Sequence, residues 1–193
     1  MQLILASASP RRRQLLSDAG YKFTVTLSDF DENSTENDPI KLAMLLSKCK
    51  AQSVYQNTHL AQSFAVLGAD TVVCIDGKIL GKPKDRVQAK QMLKILSGRT
   101  HEVVTGYCII TSRGEVINDY CLTKVTFNKL ADQLINDYVD SGYSDGKAGA
   151  YGIQDGFPLV EKYEGSYTNV IGLPTEKVFE ALNKLIKQQK SHK

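Results

Sequence analysis

The sequence predicts an α/β protein, and three features carry that expectation. Residues 3–16, LILASASPRRRQLL, read as a buried strand (Leu3, Ile4, Leu5, Ala6), a small-residue turn and then a helix. Strand-like and helix-like stretches keep alternating along the chain, with no internal repeat and no low-complexity linker. Hydrophobic residues make up 42% and charged residues 23% of the 193, an ordinary balance for a chain that fills one core. One compact unit over residues 1–193 is the expected organisation.

Ser9 and Pro10 open the first helix. A serine hydroxyl caps free N–H groups, and proline suits a first turn where its missing N–H would be unpaired anyway. That helix should end near Gly20, and residues 21–26 alternate like a second strand before the acidic loop SDFDENSTENDP. Asp38-Pro39 starts a helix that runs to about Asn57, with Ile40, Ala43, Met44, Ser47 and Ala51 on related faces. Lys48 and Lys50 sit on its later turns, where a lysine is ordinarily solvated. The run FAVLGADTVVCIDGKIL (64–80) reads as two strands joined by a type I′ turn at Asp76-Gly77. Asp85 caps a helix over 86–96, whose apolar positions are Val87, Met92, Leu93 and Leu96, and Ser97-Gly98 stops it. Residues 101–111 and 115–127 form a second hairpin about Arg113-Gly114. A helix over 132–141 follows, ending at Gly142. The loop KAGAYGIQDGF (147–157) is rich in glycine and short side chains, with Tyr151 and Gln154 as its large polar groups, and lets backbone approach a ligand closely. A short strand over 158–163 precedes GSYTNVIGLP and a C-terminal amphipathic helix with Val178, Ala181, Leu182, Leu185 and Ile186 in register. The basic residues of 184–193 read as its solvated, frayed end.

The net charge of +3 comes with no long basic run and no interleaving of basic and aromatic residues, so nucleic acid is not an expected partner. No stretch approaches the length of a membrane span, and the first apolar run is too short for a secretory signal. Cys49, Cys74, Cys108 and Cys121 are widely spaced without a CxxC pair, as in free thiols of a reducing compartment. A soluble cytoplasmic protein is therefore expected. There is no GxSxG, Walker A or GxGxxG motif, and no His/Cys spacing for zinc. His59, His101 and His192 read as surface or sheet residues.

What remains suits phosphate chemistry. Cations at a helix N-terminus oppose the helix dipole, so Arg11, Arg12 and Arg13 are a poor choice for stability alone. Combined with exposed backbone N–H groups they make a receptor for a phosphate chain. The plain alternative is a solvated first turn. Asp70 interrupts an apolar strand, where a carboxylate is costly to bury without a partner, and so suggests a site. Glu32 and Asp70 could hold a hard divalent cation, while Lys50 and Lys82 could neutralise phosphate charge. Charge clamps, a metal and a carboxylate that orients or deprotonates water are the parts phosphoryl chemistry needs.

In order along the chain, LASASPRR (5–12), Asp31-Glu32, Lys50-Ala51, GADT (68–71), GKP (81–83), LSG (96–98), KAGAYGIQ (147–154) and GLP (172–174) resemble the motifs of the Maf family of nucleotide pyrophosphatases. The resemblance spans essentially the whole chain. It implies an elongated mixed β-sheet flanked by helices, like that of inosine triphosphate pyrophosphatases, with a nucleotide held in a cleft between two lobes. It implies hydrolysis of a nucleoside triphosphate between its α- and β-phosphates, assisted by a divalent cation (Mg²⁺, Mn²⁺ or Co²⁺). By the same resemblance Asp70 matches the general base, Glu32 and Asp70 the metal-binding carboxylates, and Ser7, Arg12, Lys50 and Lys82 the grip on the triphosphate. Whether Asp70 is base, metal ligand or both stays open. Arg11, Thr71 and Gln154 match the three positions typical of the branch acting on dTTP and UTP. The branch acting on 7-methyl-GTP carries tryptophan where Arg11 stands, and this chain has no tryptophan. The physical chemistry agrees: Gln154 offers both a donor and an acceptor to a uracil or thymine edge, and no indole is present to stack on a cationic purine. Arg13 extends the usual two arginines to three and is read as exposed. The rival readings are a 7-methyl-GTP pyrophosphatase and a non-enzymatic regulator of septum formation and cell division. Arrest of division could also coexist with catalysis. A homodimer is the assembly the resemblance suggests.

Overall fold

The strand β1 (Gln2–Ala6) is the point from which the sheet grows in the computed structural model, which describes residues 1–190, with side chains to 188. It pairs in parallel with β2 (Phe23–Val25) on one side and β3 (Phe64–Ile75) on the other. Beyond β3 the pairing is antiparallel, through β5 (Thr100–Thr111), β6 (Val116–Phe127) and β7 (Val160–Glu164). The order is β2-β1-β3-β5-β6-β7, and the short β4 (Lys78–Leu80) pairs with the far end of β3, completing seven strands among the described residues. The helices are α1 (Pro10–Asp18), α2 (Pro39–Gln56), α3 (Arg86–Leu96), α4 (Asp132–Asp140), α5 (Tyr167–Ile171) and α6 (Thr175–Lys190). The mixed sheet with flanking helices is the expected α/β architecture.

The local signals explain most element boundaries. Ser9 Oγ accepts from the Arg12 amide, Asp38 from those of Ile40 and Lys41, and Asp85 from that of Gln88, so each serves as an N-cap. Asp76 and Gly77 both take positive φ, 49° and 73°, as a type I′ hairpin turn requires. The expected strand over 21–26 shrinks to three residues, and the one over 158–163 begins two residues later. Val87 was expected on the buried face of α3 but is 66% exposed; Ala89 supplies that contact with Met92, Leu93 and Leu96. The short helix α5 was read as loop, because five residues are too few to show a period. Of the basic tail, residues 191–193, His192 included, lie outside the described residues.

Alternation along β3 and β5 divides the core. Ile4, Ala6, Val66, Cys108 and Ile110 pack against α2 on one face of the sheet. On the opposite face, Leu67, Ala69, Tyr107 and Ile109 join α1 and α6, while Val73, Val103 and Phe127 join α3 and α4. These two clusters are the cores of two lobes. Between them the inward positions are polar, Thr71 and Thr105, paired in register and with hydroxyls 2.9 Å apart.

Two glycines press α2 onto the other face. A Cβ on Gly68 would lie 2.3 Å from the Ser47 carbonyl oxygen, and one on Gly106 would lie 2.3 Å from that of Ala43. Any side chain at either position would push the helix backbone off the sheet. That contact brings α2 low enough for one of its lysines to reach β3.

Candidate active site at the bare edge of β3

One edge of β3 is covered by β5 along nearly its whole length. On the other edge β1 stops at Ala6, opposite Gly68, and β4 does not begin until Leu80, opposite Val73. The edge is therefore bare over residues 69–72, beside the carboxyl end of a parallel strand, where open α/β sheets form their binding crevices. A cleft of about 480 Å³ occupies this gap, within the range that holds small molecules. All nine side chains singled out in the sequence line it.

Strand alternation sends neighbours Asp70 and Thr71 to opposite faces. On the α2 face, Lys50 Nζ lies 2.5 Å from Asp70 Oδ1 and 2.8 Å from Glu32 Oε1. Lys50 and Asp70 are almost fully buried, whereas Glu32 comes from the exposed 26–38 loop. Lys82, exposed just past β4, adds a longer contact of 3.9 Å to Glu32. Burial works to raise the Glu32 pKa, but the hydrogen bond and charge of Lys50, with Lys82 and Arg12, outweigh it and hold the carboxyl below its ordinary range. Asp31 meanwhile accepts from the amide and side chain of Asn33, an Asx turn that shapes the same loop. The buried Asp70 has the partner its position demanded. Lys50 is not the solvated lysine that its helix suggested, and the signal was present: it lies three residues after buried Ser47 and four before buried Val54.

On the opposite face the Arg12 guanidinium is buried and held by three acceptors. Its Nε donates to the Gly172 carbonyl at 2.7 Å, Nη1 to Ser7 Oγ at 3.1 Å and Nη2 to Thr71 Oγ1 at 3.0 Å. Arg11 Nε donates to the Ile171 carbonyl at 3.4 Å. Both carbonyls belong to the C-terminal end of α5, whose negative pole offsets the mismatch of cations against the N-terminus of α1. Burial lowers the Arg12 pKa, and Asp70 pulls it back up. Gly172 has φ 126°, and a Cβ there would sit 3.3 Å from Thr71 Oγ1 and 3.6 Å from Arg12 Nε, so the GLP motif needs glycine. The α5 turn is fixed by buried Asn169, whose Nδ2 donates to the Val103 carbonyl and Thr123 Oγ1 while its backbone carbonyl accepts from the Thr105 hydroxyl. Arg13 is exposed, as expected.

The third wall is the 147–154 segment, a tight turn around Ala148–Ala150. Lys147 and Asp155, overlooked in the sequence beside Tyr151 and Gln154, form a buried ion pair here, joined by the Tyr138 hydroxyl. Behind the wall, His101 Nε2 is 2.7 Å from the Tyr151 hydroxyl, while its Nδ1 is buried with no hydrogen-bond partner among the described residues. Burial pushes the imidazole pKa down to about 4. Unfolded histidine titrates near 6.5, so between these values the unfolded chain holds a proton that the folded one refuses. Stability is then full above about pH 6.5 and falls as pH drops toward 4, by about 3 kcal/mol in total. Urea unfolding at pH 7 and pH 5 should show this loss in the wild type and a much flatter dependence in His101→Gln. An equal slope in both would contradict it.

No group of three or more His, Cys, Asp or Glu side chains suited to a metal occurs among the described residues. Glu32 and Asp70 nevertheless converge on one ammonium at the open cleft, and two carboxylates suffice for a cation that keeps waters and takes substrate phosphate oxygens. All four cysteines are free. No helix among the described residues is long and apolar enough to cross a membrane.

A family model described as Maf-like protein matches residues 2–185. A dTTP/UTP pyrophosphatase from Thermoanaerobacter sp. (strain X514) is 47% identical over 186 residues, covering 95% of this chain and 96% of that one. Another protein of that name, from Pyrococcus furiosus, is 48% identical over 178 residues and covers 90% of each. Among solved structures, a nucleoside-triphosphatase / dITP/XTP pyrophosphatase from Mycobacterium abscessus aligns with 100% of this chain and 98% of its own, at 16% identity and a TM-score of 0.45.

Proposed function

The chain belongs to the Maf family, and from that premise we propose that it is a nucleoside triphosphate pyrophosphatase that hydrolyses dTTP and UTP to the monophosphate and pyrophosphate. The observation that carries this reading is the meeting, across the bare edge of β3, of an arginine clamp on one face and a lysine-bridged carboxylate pair on the other. Arg12 has five N–H groups, three of them committed to protein acceptors, which leaves two for phosphate oxygens. Ser7 lines the same end of the cleft and serves the triphosphate with it. Lys50 and Lys82 offset the charge that develops on the phosphates in the transition state. Asp70 orients the attacking water and takes its proton. Glu32 and Asp70 would hold Mg²⁺, Mn²⁺ or Co²⁺, with water and substrate oxygens completing the shell. When bound, the ion polarises the phosphoryl oxygens. Gln154, with Arg11 and Thr71, selects the base. On this reading the protein works as one domain, in a homodimer, in the cytoplasm, and its four free cysteines suit a reducing compartment.

The test is to incubate the purified protein with canonical and modified triphosphates, with and without Mg²⁺ or Mn²⁺, and identify the products. Expected are monophosphate and pyrophosphate from dTTP and UTP, abolished by chelation and restored by metal. Cleavage of 7-methyl-GTP instead would keep the chemistry and overturn the choice of base. No turnover of any nucleotide by folded protein would overturn the enzymatic reading in favour of a regulator.

A further inference from the structure

Asp155 stands just behind the cleft wall, with both carboxylate oxygens engaged. Oδ2 accepts from the Lys147 ammonium and, at 2.5 Å, from the Tyr138 hydroxyl. Oδ1 accepts from Gln154 Nε2 at 3.1 Å. Lys147 and Asp155 side chains are only 9% and 5% exposed, so the carboxylate is a fixed, charged acceptor. Tyr138 is itself held by a 3.0 Å bond from the Gly152 amide. Gly152 must lack a side chain for this to form, since a Cβ there would lie 2.6 Å from Asp155 Oδ2 and 2.8 Å from Gln154 Nε2. Gln154 itself is exposed and lines the cleft.

A carboxylate has no proton to donate. It can take only the nitrogen end of the Gln154 amide, and turning the amide over would set one oxygen against another. We propose that Asp155 is a positioning residue for base selection: it fixes the Gln154 amide so that Oε1 faces the substrate's base as an acceptor. This rests on the dTTP/UTP pyrophosphatase reading above. Uracil and thymine carry a proton on N3 and meet that acceptor. Cytosine has a bare N3 and an amino group at C4, so it requires the reversed amide, which Asp155 opposes. Asp155, held by Lys147 and Tyr138, thus sets the chemical class of the substrate from behind the cleft wall.

Asp155→Asn tests this, because an asparagine amide can either accept from Gln154 or donate to it. Steady-state kcat/KM is measured for UTP and CTP with wild type, Asp155→Asn and the double variant Lys147→Gln/Asp155→Asn, which removes the pair's charges together and is used if the single variant does not fold. The expected result is a wild type that prefers UTP and a folded variant whose UTP-to-CTP ratio is lower by about tenfold or more, the scale of one charge-assisted hydrogen bond. A folded variant that loses rate equally on both nucleotides, or keeps the wild-type ratio, overturns the proposal and leaves the pyrophosphatase reading standing. A wild type that hydrolyses neither UTP nor dTTP overturns both.

Discussion

Asp70→Asn is expected to lower kcat for UTP by about a thousandfold, within the range that a lost general base costs, while the protein stays folded. The substitution keeps the shape of the side chain and an oxygen for Lys50, which lies 2.5 Å away, but removes the charge and the basic site. Lys50 retains Glu32 as an ionic partner at 2.8 Å, so α2 keeps its hold on the cleft. Steady-state kinetics with saturating metal and a thermal unfolding curve of the same sample separate the two effects. A variant that turns over at nearly the wild-type rate would remove Asp70 from the chemistry.

The second large effect is expected at Arg12. Arg12→Lys keeps a positive charge but loses the planar fork that reaches Gly172, Ser7 and Thr71 together. It also leaves three acceptors in a buried setting to share one ammonium. We expect a loss of about a hundredfold in kcat/KM, most of it in kcat, because the clamp acts where charge builds on the phosphates. Full activity in Arg12→Lys would mean that charge alone suffices and that the α5 carbonyls do not organise the site.

How far the sequence disclosed this arrangement depends on the kind of interaction involved. Contacts within a few residues were legible: Ser9, Asp38 and Asp85 cap their helices, and Asp76-Gly77 turns its hairpin, because each is decided by local geometry. Asp70 was legible for another reason, since an acidic group in an apolar strand must find a partner. The identity of that partner was not, as Lys50 reaches it only because Gly68 and Gly106 let α2 lie against the sheet. The arginine run looked misplaced against its own helix dipole, and the resolution comes from carbonyls 160 residues away, at the end of a helix too short to show a period. The pairing of Lys147 with Asp155 was not legible, because eight residues of loop without a regular period separate them. Their pairing exists only once the chain has turned through Gly149, where φ is 66°.

The most direct test of the account is phosphorus NMR of the products when the metal-loaded protein is given dTTP. The expected products are dTMP and pyrophosphate in equal amounts, with no inorganic phosphate at early times. Release of dTDP and inorganic phosphate would place the cut between the β- and γ-phosphates and contradict it.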